Sequence, residues 1–180
     1  MKSKEQKIVA SLSNRPILIW GARMTGIGLL RFTKKHKLNV IGFVDADPSL
    51  IGRKIENFQI NKPDIIPSLK AEHDNLAVVV AVSLKEDEII KSLSEMGISR
   101  EDCVNYSEFC DCFFTIDIVG TCNLNCPSCA QSINTIKNPV GIMSLDDFKQ
   151  VTKKMLDEVD IVTHVSLYSW GEPFLHNELN

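Results

Sequence analysis

The sequence predicts an α/β fold in two parts, residues 1–108 and residues 109–180. Two observations carry this prediction. Between residues 16 and 106, short apolar runs alternate with stretches whose apolar residues recur at helical spacing, which is typical of a parallel sheet flanked by helices. Between residues 113 and 169, a separate strand–helix–strand pattern follows, and such a parallel crossover is expected to be right-handed.

The elements of the first part are predicted in chain order. Strands are predicted at 16–20, 40–44 and 76–82, and a helix at about 25–36. The third strand is apolar on both faces, as buried parallel strands usually are. Ser83 and Glu86 are spaced as a capping box, so we expect the second helix to begin directly after Ser83 and to end at Gly97.

The second part is predicted to hold strands at 113–119 and 164–169, joined by a helix that Ser144 caps. Asp147 stands at the capping-box position of that helix. A single unit of this kind cannot bury both faces of its strands. We therefore expect residues 109–180 to be the N-terminal portion of a larger, truncated domain, and the 180-residue chain alone to be inactive.

Composition excludes several functional classes. Hydrophobic residues make up 44 % of the chain and charged residues 24 %, as in soluble globular proteins. The charged N-terminus does not resemble a signal peptide, and the longest apolar run is too short to span a bilayer. The net charge of −3, with no basic stripe, argues against nucleic acid as a partner. We expect a cytoplasmic protein that acts at neither a membrane nor a nucleic acid.

Cysteine usage indicates metal chemistry. Six cysteines without an export signal favour reduced thiols over disulfides. Cys122, Cys126 and Cys129 form a C-x3-C-x2-C loop directly after the strand at 113–119, and we call residues 122–129 the cysteine loop. Three thiolates can ligate three irons of a [4Fe–4S] cluster and leave one iron open, whereas electron-transfer clusters use four cysteines. The alternative is a zinc site completed by Cys110, Cys112 or a histidine.

With this spacing after a strand, the second part resembles the radical S-adenosylmethionine (SAM) superfamily. The resemblance implies a partial (β/α) barrel in which the amino and carboxylate groups of SAM bind the open iron. It also implies a flavodoxin- or ferredoxin-like electron donor and one-electron cleavage of SAM. The resulting 5′-deoxyadenosyl radical abstracts hydrogen from a substrate that the sequence does not identify, and no catalytic residue is identified either.

A second motif supports the same resemblance. Residues 170–173, Trp-Gly-Glu-Pro, follow the last predicted strand, and we call them the WGEP segment. The superfamily carries a Gly-Gly-Glu-Pro-like stretch there that receives the methionine part of SAM, which implies Gly171, Glu172 and Pro173 as SAM-binding residues. Trp170 and Ser128 depart from the common pattern, since many relatives have a glycine and an aromatic residue at these positions.

Gly21, Arg23 and Gly26 follow the first strand and open a helix, where a dinucleotide fingerprint holds phosphate. Asp45 ends the second strand, about where an acidic residue would meet a ribose. Residues 14–106 resemble Rossmann-type domains of sugar-modifying enzymes and acyltransferases, which implies a nucleotide or nucleotide-sugar ligand. Arg23 replaces the middle glycine, and its side chain could grip a phosphate. The alternative is a Rossmann-like scaffold that binds nothing.

The sequence therefore favours a radical SAM enzyme with a Rossmann-like domain before it. The alternative is a nucleotide-binding redox sensor or a zinc-binding accessory protein without radical catalysis. The WGEP segment argues against a sensor, because a sensor needs no site for methionine.

Overall fold

The computed structural model describes residues 4–82, 84–108, 112–130, 140–159, 161–162 and 164–179. The chain divides into two compact units, Met1–Asp111 and Cys112–Asn180. Each unit is described by itself.

The first unit contains a six-stranded, mostly parallel sheet. Its strands are β1 Pro16–Trp20, β2 Asn39–Val44, β3 Lys54–Ile55, β4 Phe58–Asn61, β5 Ala77–Val80 and β6 Cys103–Asn105. The order across the sheet is β3-β4-β2-β1-β5-β6, and only β3 and β4 pair antiparallel. Leaving out β3, this is the order of a Rossmann-like sheet, so the predicted α/β class and parallel sheet are confirmed.

Four helices accompany this sheet: α1 Lys4–Leu12, α2 Met24–Lys35, α3 Ile66–Glu72 and α4 Glu86–Glu95. Short 3-10 turns lie at Pro63–Ile65 and Tyr106–Glu108. The sequence did not predict α1, α3, β3, β4 or β6, because these elements are short or carry few apolar residues. In α1, for example, only Ile8 and Leu12 are buried apolar residues, one helical turn apart.

Helix α4 begins later than the capping-box spacing predicted. Glu86 is its first residue and Lys85 its N-cap, whereas Ser83 lies outside the described residues. Three acidic residues, Glu86, Asp87 and Glu88, occupy the first turn instead, where negative charge interacts favourably with the helix dipole. Gly97 ends the helix as predicted, with a φ of +85°.

The core of the first unit lies on β1 and β5, which are buried at every position. Each of these strands has a parallel neighbour on both sides, and apolar side chains cover both faces. Leu93 from α4 and Ile66 from α3 are fully buried against the same cluster. Burying such a side chain contributes about 1.5–3 kcal/mol, so these strands form a rigid base for the loops at their ends.

A polar cluster lies at the end of the sheet where β1 begins. Asp102 accepts a hydrogen bond from Ser99 Oγ at 2.9 Å and pairs with Lys70 at 3.1 Å and with Arg15. Arg15 Nε also donates to the Asn75 carbonyl at 2.9 Å. Burial raises the pKa of Asp102, but the Ser99 hydroxyl and the two cations outweigh burial and hold that pKa below its usual value.

The second unit contains the parallel strands β7 Phe113–Thr115 and β8 His164–Ser166, with helix α5 Leu145–Glu158 between them in the chain. Ser144 caps α5 as predicted, since its Oγ accepts from the Asp147 backbone N–H at 3.1 Å. Both strands are shorter than predicted. After β7 the chain bends at Ile118 and at Gly120, and backbone contacts such as the antiparallel bridge between Val119 and Ile142 join it to the residues before α5.

A 3-10 turn, Pro173–Leu175, follows β8 in the second unit. The buried cluster of this unit is small, with Ile116, Ile118 and Val119 at its centre and half-buried residues such as Phe148 and Leu167 around it. Among the described residues of the whole chain, no helix is long and apolar enough to cross a membrane.

Candidate functional site

The cysteine loop begins shortly after the chain leaves the buried cluster of Ile116, Ile118 and Val119. Ile118 and Val119 are 5 % and 1 % exposed and anchor the chain immediately before the loop. From Asn123 to Ser128 every residue is exposed, and Cys122 and Cys129 are half-buried. Within the described part of the chain, these three cysteines are thiols that take part in no disulfide. A rigid apolar anchor therefore precedes an accessible set of sulfur donors.

Backbone hydrogen bonds shape this loop locally. The Cys129 N–H donates to the Cys126 carbonyl at 3.0 Å, which forms a turn centred on Pro127 and Ser128. The Leu124 N–H approaches Cys122 Sγ at 3.4 Å. Hydrogen bonds from backbone N–H groups to cysteine sulfur are one of the features that set the potential of iron–sulfur clusters.

The donor set fits a cluster held by three cysteines, because three thiols lie on one accessible loop. The side chains are not gathered around a common point: among the residues that the structure describes, no three His, Cys, Asp or Glu side chains are placed to hold a metal ion. Cys110, one of the fourth ligands considered for zinc, lies outside the described residues. Metal binding would therefore require the cysteine loop to close around the metal.

The WGEP segment runs beside the residues that lead into the cysteine loop. The Glu172 N–H donates to the Thr121 carbonyl at 2.9 Å, directly before Cys122. A Cβ at Gly171 would lie 1.6 Å from the Val119 carbonyl oxygen, so no other residue fits there without moving the backbone. In the structure Gly171 lets two protein backbones approach each other, and its contact with SAM stays a prediction.

Two further side chains of this region stabilise local turns. Glu172 Oε1 accepts from the Phe174 N–H at 3.1 Å and so caps the 3-10 turn, which engages one of its two carboxylate oxygens. His176 Nδ1 accepts from the Glu178 N–H at 3.1 Å, so its proton is on Nε2, which donates to the Met143 carbonyl at 2.8 Å. His176 thus joins the end of the turn to the residues before α5.

Asp117 is a residue of this site that sequence reasoning missed. Its Oδ1 accepts hydrogen bonds from two successive backbone N–H groups, Ser169 at 2.5 Å and Trp170 at 3.1 Å. Asp117 lies between the buried residues Ile116 and Ile118. The sequence signal that could have identified Asp117 is a lone carboxylate among the apolar residues of the strand predicted at 113–119.

Two cavities adjoin this region of the second unit. One, of about 310 Å³, is lined by Asp117 and by other residues within 117–120 and 140–143. The other, of about 120 Å³, lies between α5 and the end of the described chain and is lined mainly by apolar residues such as Phe148 and Leu167. The larger cavity therefore lies beside residues 117–120, which include Asp117.

In the first unit, the loop after β1 packs tightly on its neighbours. Gly21 has a φ of +116°, and a Cβ there would lie 2.6 Å from the Ala81 carbonyl oxygen. A Cβ at Gly26, in the first turn of α2, would lie 1.9 Å from the Gly21 carbonyl oxygen. These are the roles of the first and third fingerprint glycines, namely the tight turn and the close packing of helix on strand.

The polar residues of this loop are bound to one another. Asp45 accepts from the Ala22 N–H at 2.8 Å and from the Asp47 N–H at 2.9 Å, so both its oxygens hold backbone. Arg23 pairs with Asp47 at 2.5 Å. Hydrogen bonds from Ser49, and then the Arg23 guanidinium, lower the pKa of Asp47. Sequence reasoning missed Asp47, and the ribose contact of Asp45 stays a prediction.

Comparison with known proteins gives one family and a small set of solved structures. Residues 13–104, about half of the chain, match the family described as C2185-like, N-terminal. UDP-D-quinovosamine 4-dehydrogenase from Vibrio fischeri is similar at 18 % identity, with 75 % of this chain and 98 % of that chain covered and a TM-score of 0.42. No curated protein sequence matches the chain.

RSP, a Rex-family repressor, is similar at 16 % identity, with 84 % of this chain covered and a TM-score of 0.42. The chain spans 64 % of the length of that repressor. The structure of RSP in complex with β-NADH matches at the same identity and TM-score, with 65 % of that chain covered.

Proposed function

The chain belongs to the C2185-like N-terminal family, and we propose that its second unit is the first part of a radical SAM domain. In this proposal Cys122, Cys126 and Cys129 hold a [4Fe–4S] cluster. One observation carries it: the backbone hydrogen bond from Glu172 to Thr121 brings the WGEP segment next to the start of the cysteine loop. The two motifs are far apart in the sequence and adjacent in space.

This adjacency supports a shared site. A molecule that coordinates an open iron beside Cys122 would be within reach of residues that pack on Val119 and Thr121. In the proposal, Gly171, Glu172 and Pro173 receive the methionine part of SAM. Only one oxygen of Glu172 is engaged by the 3-10 turn, so the carboxylate retains capacity to accept a charge-assisted hydrogen bond from an ammonium group.

When bound, the reduced cluster and SAM supply a one-electron cleavage that yields a 5′-deoxyadenosyl radical, which abstracts hydrogen from a substrate of unknown class. The chain's own residues bind and orient. The cysteines provide thiolates, the buried pair Ile118 and Val119 anchors the loop, and the 310 Å³ cavity beside Asp117 offers a partly apolar space. Exclusion of water from such a site protects a reactive intermediate.

We also propose a flavodoxin- or ferredoxin-like electron donor and a cytoplasmic location. The cysteine loop is accessible to a protein donor, because Cys126 and its neighbours are exposed. Several cysteines in a chain without an export signal are typical of a reducing compartment.

Anaerobic reconstitution of the full chain tests the cluster. We expect about four irons per chain and the broad absorption of a [4Fe–4S] centre. Cys122→Ala, Cys126→Ala and Cys129→Ala should each abolish the intact cluster. Cys103→Ala is the matched control, because Cys103 is buried in β6 of the first unit, and it should retain all the iron.

The same sample distinguishes the alternatives. Addition of SAM should change the electron paramagnetic resonance spectrum of the reduced cluster. Stoichiometric zinc without iron after anaerobic purification would instead establish the zinc-binding accessory protein. An iron cluster whose spectrum ignores SAM would favour the redox sensor.

For the first unit we propose a nucleotide or nucleotide sugar as ligand, bound at the crevice beyond β1 and β5. The strand order reverses there, and ligands of open α/β sheets bind at such points. Gly21 and Gly26 meet the first and third requirements of the fingerprint. Arg23, whose side chain is 72 % exposed, is available for a phosphate if it exchanges Asp47 for the ligand.

Thermal denaturation of the full chain with dinucleotides and nucleotide sugars tests this proposal. A ligand at a hundred times its dissociation constant should add about 2.7 kcal/mol to the stability of the first unit. Arg23→Ala should reduce that gain, and Arg53→Ala, also exposed in this unit, should not. If no ligand shifts the transition, the first unit is a scaffold.

A further inference from the structure

Asp117 replaces backbone pairing where the two parallel strands separate. The ladder between β7 and β8 ends with the bond from the Ile116 N–H to the Ser166 carbonyl, at 2.8 Å. Among the described residues, the next hydrogen bonds between the two chain segments are those that the Asp117 carboxylate accepts from the Ser169 and Trp170 N–H groups. Backbone contact resumes at Thr121 and Glu172.

The carboxylate is suited to this position for an electrostatic reason. Two successive backbone N–H groups form a small concave donor pair that binds an anion. Hydrogen bonds to an ionised acceptor are about twice as strong as neutral ones. Without Asp117, Ser169 and Trp170 would lose the acceptor that holds them between Ser166 and Glu172.

The contact lies directly before the residues expected to touch SAM. Trp170 begins the WGEP segment, and Gly171 follows it against the Val119 carbonyl. Such a close approach tolerates little displacement, because there is no room even for a Cβ atom between Gly171 and the Val119 carbonyl oxygen. The orientation of Gly171 therefore depends on how firmly residues 169 and 170 are held.

We propose that Asp117 is a positioning residue for the SAM site, which holds the WGEP segment against the strand that carries the cysteine loop. This inference rests on the proposed function, and it assigns Asp117 a role separate from cluster ligation. In this proposal Asp117 acts through the backbone of Ser169 and Trp170 and binds neither the cluster nor SAM.

Amide hydrogen exchange of the cluster-free full chain tests the positioning directly. We compare Asp117→Ala, which removes the acceptor, with Asp117→Asn, which keeps a neutral oxygen in the same place. Asp157→Ala is the matched control, because Asp157 is an exposed aspartate on α5 of the same unit. The amides of Ser169 and Trp170 should exchange about ten- to a hundredfold faster in Asp117→Ala, less so in Asp117→Asn, and at the original rate in Asp157→Ala.

The reconstituted proteins then test the link to SAM. Asp117→Ala should keep its full iron content, and its apparent affinity for SAM should fall by about tenfold or more, since only the fraction of molecules with an ordered WGEP segment binds. Asp117→Asn should recover part of that affinity. Unchanged exchange at residues 169 and 170 in Asp117→Ala, or unchanged SAM affinity beside a normal cluster, would overturn the inference.

Failure of the proposed function gives a different result. In that case the unsubstituted chain itself binds no cluster or shows no response to SAM, whatever Asp117 does to exchange. Should Asp117→Ala not fold, Asp117→Asn still decides the question, because equal exchange and equal SAM affinity in that variant and the original would show that the charge of Asp117 has no role.

Discussion

The two units of this chain hold their loops in different ways. In the first unit, β1 and β5 are buried at every position and have parallel neighbours on both sides, so the loop after β1 rests on a continuous apolar core. In the second unit, the described strands form one pair, and Phe113 of β7 is 67 % exposed. There the cysteine loop and the WGEP segment depend on a few hydrogen bonds and one close backbone contact.

This difference predicts that single side chains control loop positions more strongly in the second unit than in the first. A glycine or a carboxylate in the first unit mainly supports a structure that hydrophobic burial already stabilises. The equivalent residue in the second unit decides where the cysteine loop or the WGEP segment lies, because little buried surface competes with it. Substitutions of the same chemical type should therefore give different effects in the two units.

The largest expected effect is on amide hydrogen exchange. Amides of β1 and β5 should exchange at least about a thousandfold more slowly than amides of β7 and β8, because opening the first unit exposes most of the buried core. Mass spectrometry after pepsin digestion of the full chain would measure both. Similar protection in the two units would show that the second unit is stabilised by more than the contacts described here.

A pair of glycines sharpens the comparison. Gly26→Ala should destabilise the first unit by about 3 kcal/mol, because its Cβ would lie 1.9 Å from the Gly21 carbonyl oxygen. Gly42→Ala in β2 is the matched control, since its Cβ would only touch Leu18 at 3.6 Å. Urea denaturation would show the loss, and equal stability of the two variants would refute this prediction.

In the second unit, the corresponding change is Gly171→Ala, whose Cβ would meet the Val119 carbonyl at 1.6 Å. We expect the WGEP segment to move away from the strand while the small core persists, so global stability should fall by only about 1 kcal/mol. Iron content should stay normal and the response to SAM should be lost. Gly42→Ala in the first unit, whose Cβ would only touch Leu18 at 3.6 Å, should leave both unchanged.

The last expected effect is on stability alone and concerns the polar cluster around Asp102. Asp102→Asn should cost about 2 kcal/mol at pH 7, because Arg15 and Lys70 lose their shared carboxylate. The pKa of Asp102 is lowered by folding, so its contribution is present above the unfolded value of about 3.9 and is lost as the pH falls through the lower folded value.

Urea denaturation between pH 7 and pH 3 would measure this dependence. The difference in unfolding free energy between the original chain and Asp102→Asn should shrink as the pH falls below about 4. Glu101→Gln, at the exposed neighbouring position, should show no such trend. A difference that stays constant down to pH 3 would exclude an ionised Asp102 as the stabilising group.

Long apolar patterns made much of the first unit predictable. β1, β2 and β5 were predicted from short continuous apolar runs, and α2 from apolar residues at helical spacing. β3, β4 and β6 are two to four residues long, too short for a period to show. The start of α4 was predicted too early, because the capping-box spacing was weighed without the acidic first turn that begins at Glu86.

The sequence by itself determined the chemistry available to this protein. Residue types and short-range spacing decide which donors share a loop, so Cys122, Cys126 and Cys129, and the glycines of the β1–α2 turn, were identified without coordinates. Only the tertiary structure decided which distant backbones meet. The close approach of the Val119 carbonyl permits only glycine at position 171. Asp117 accepts hydrogen bonds from Ser169 and Trp170, and Asp45 accepts one from Ala22. These contacts join residues separated by 23 to 53 positions, and no local period or spacing encodes them, because they arise only when parallel strands align their ends.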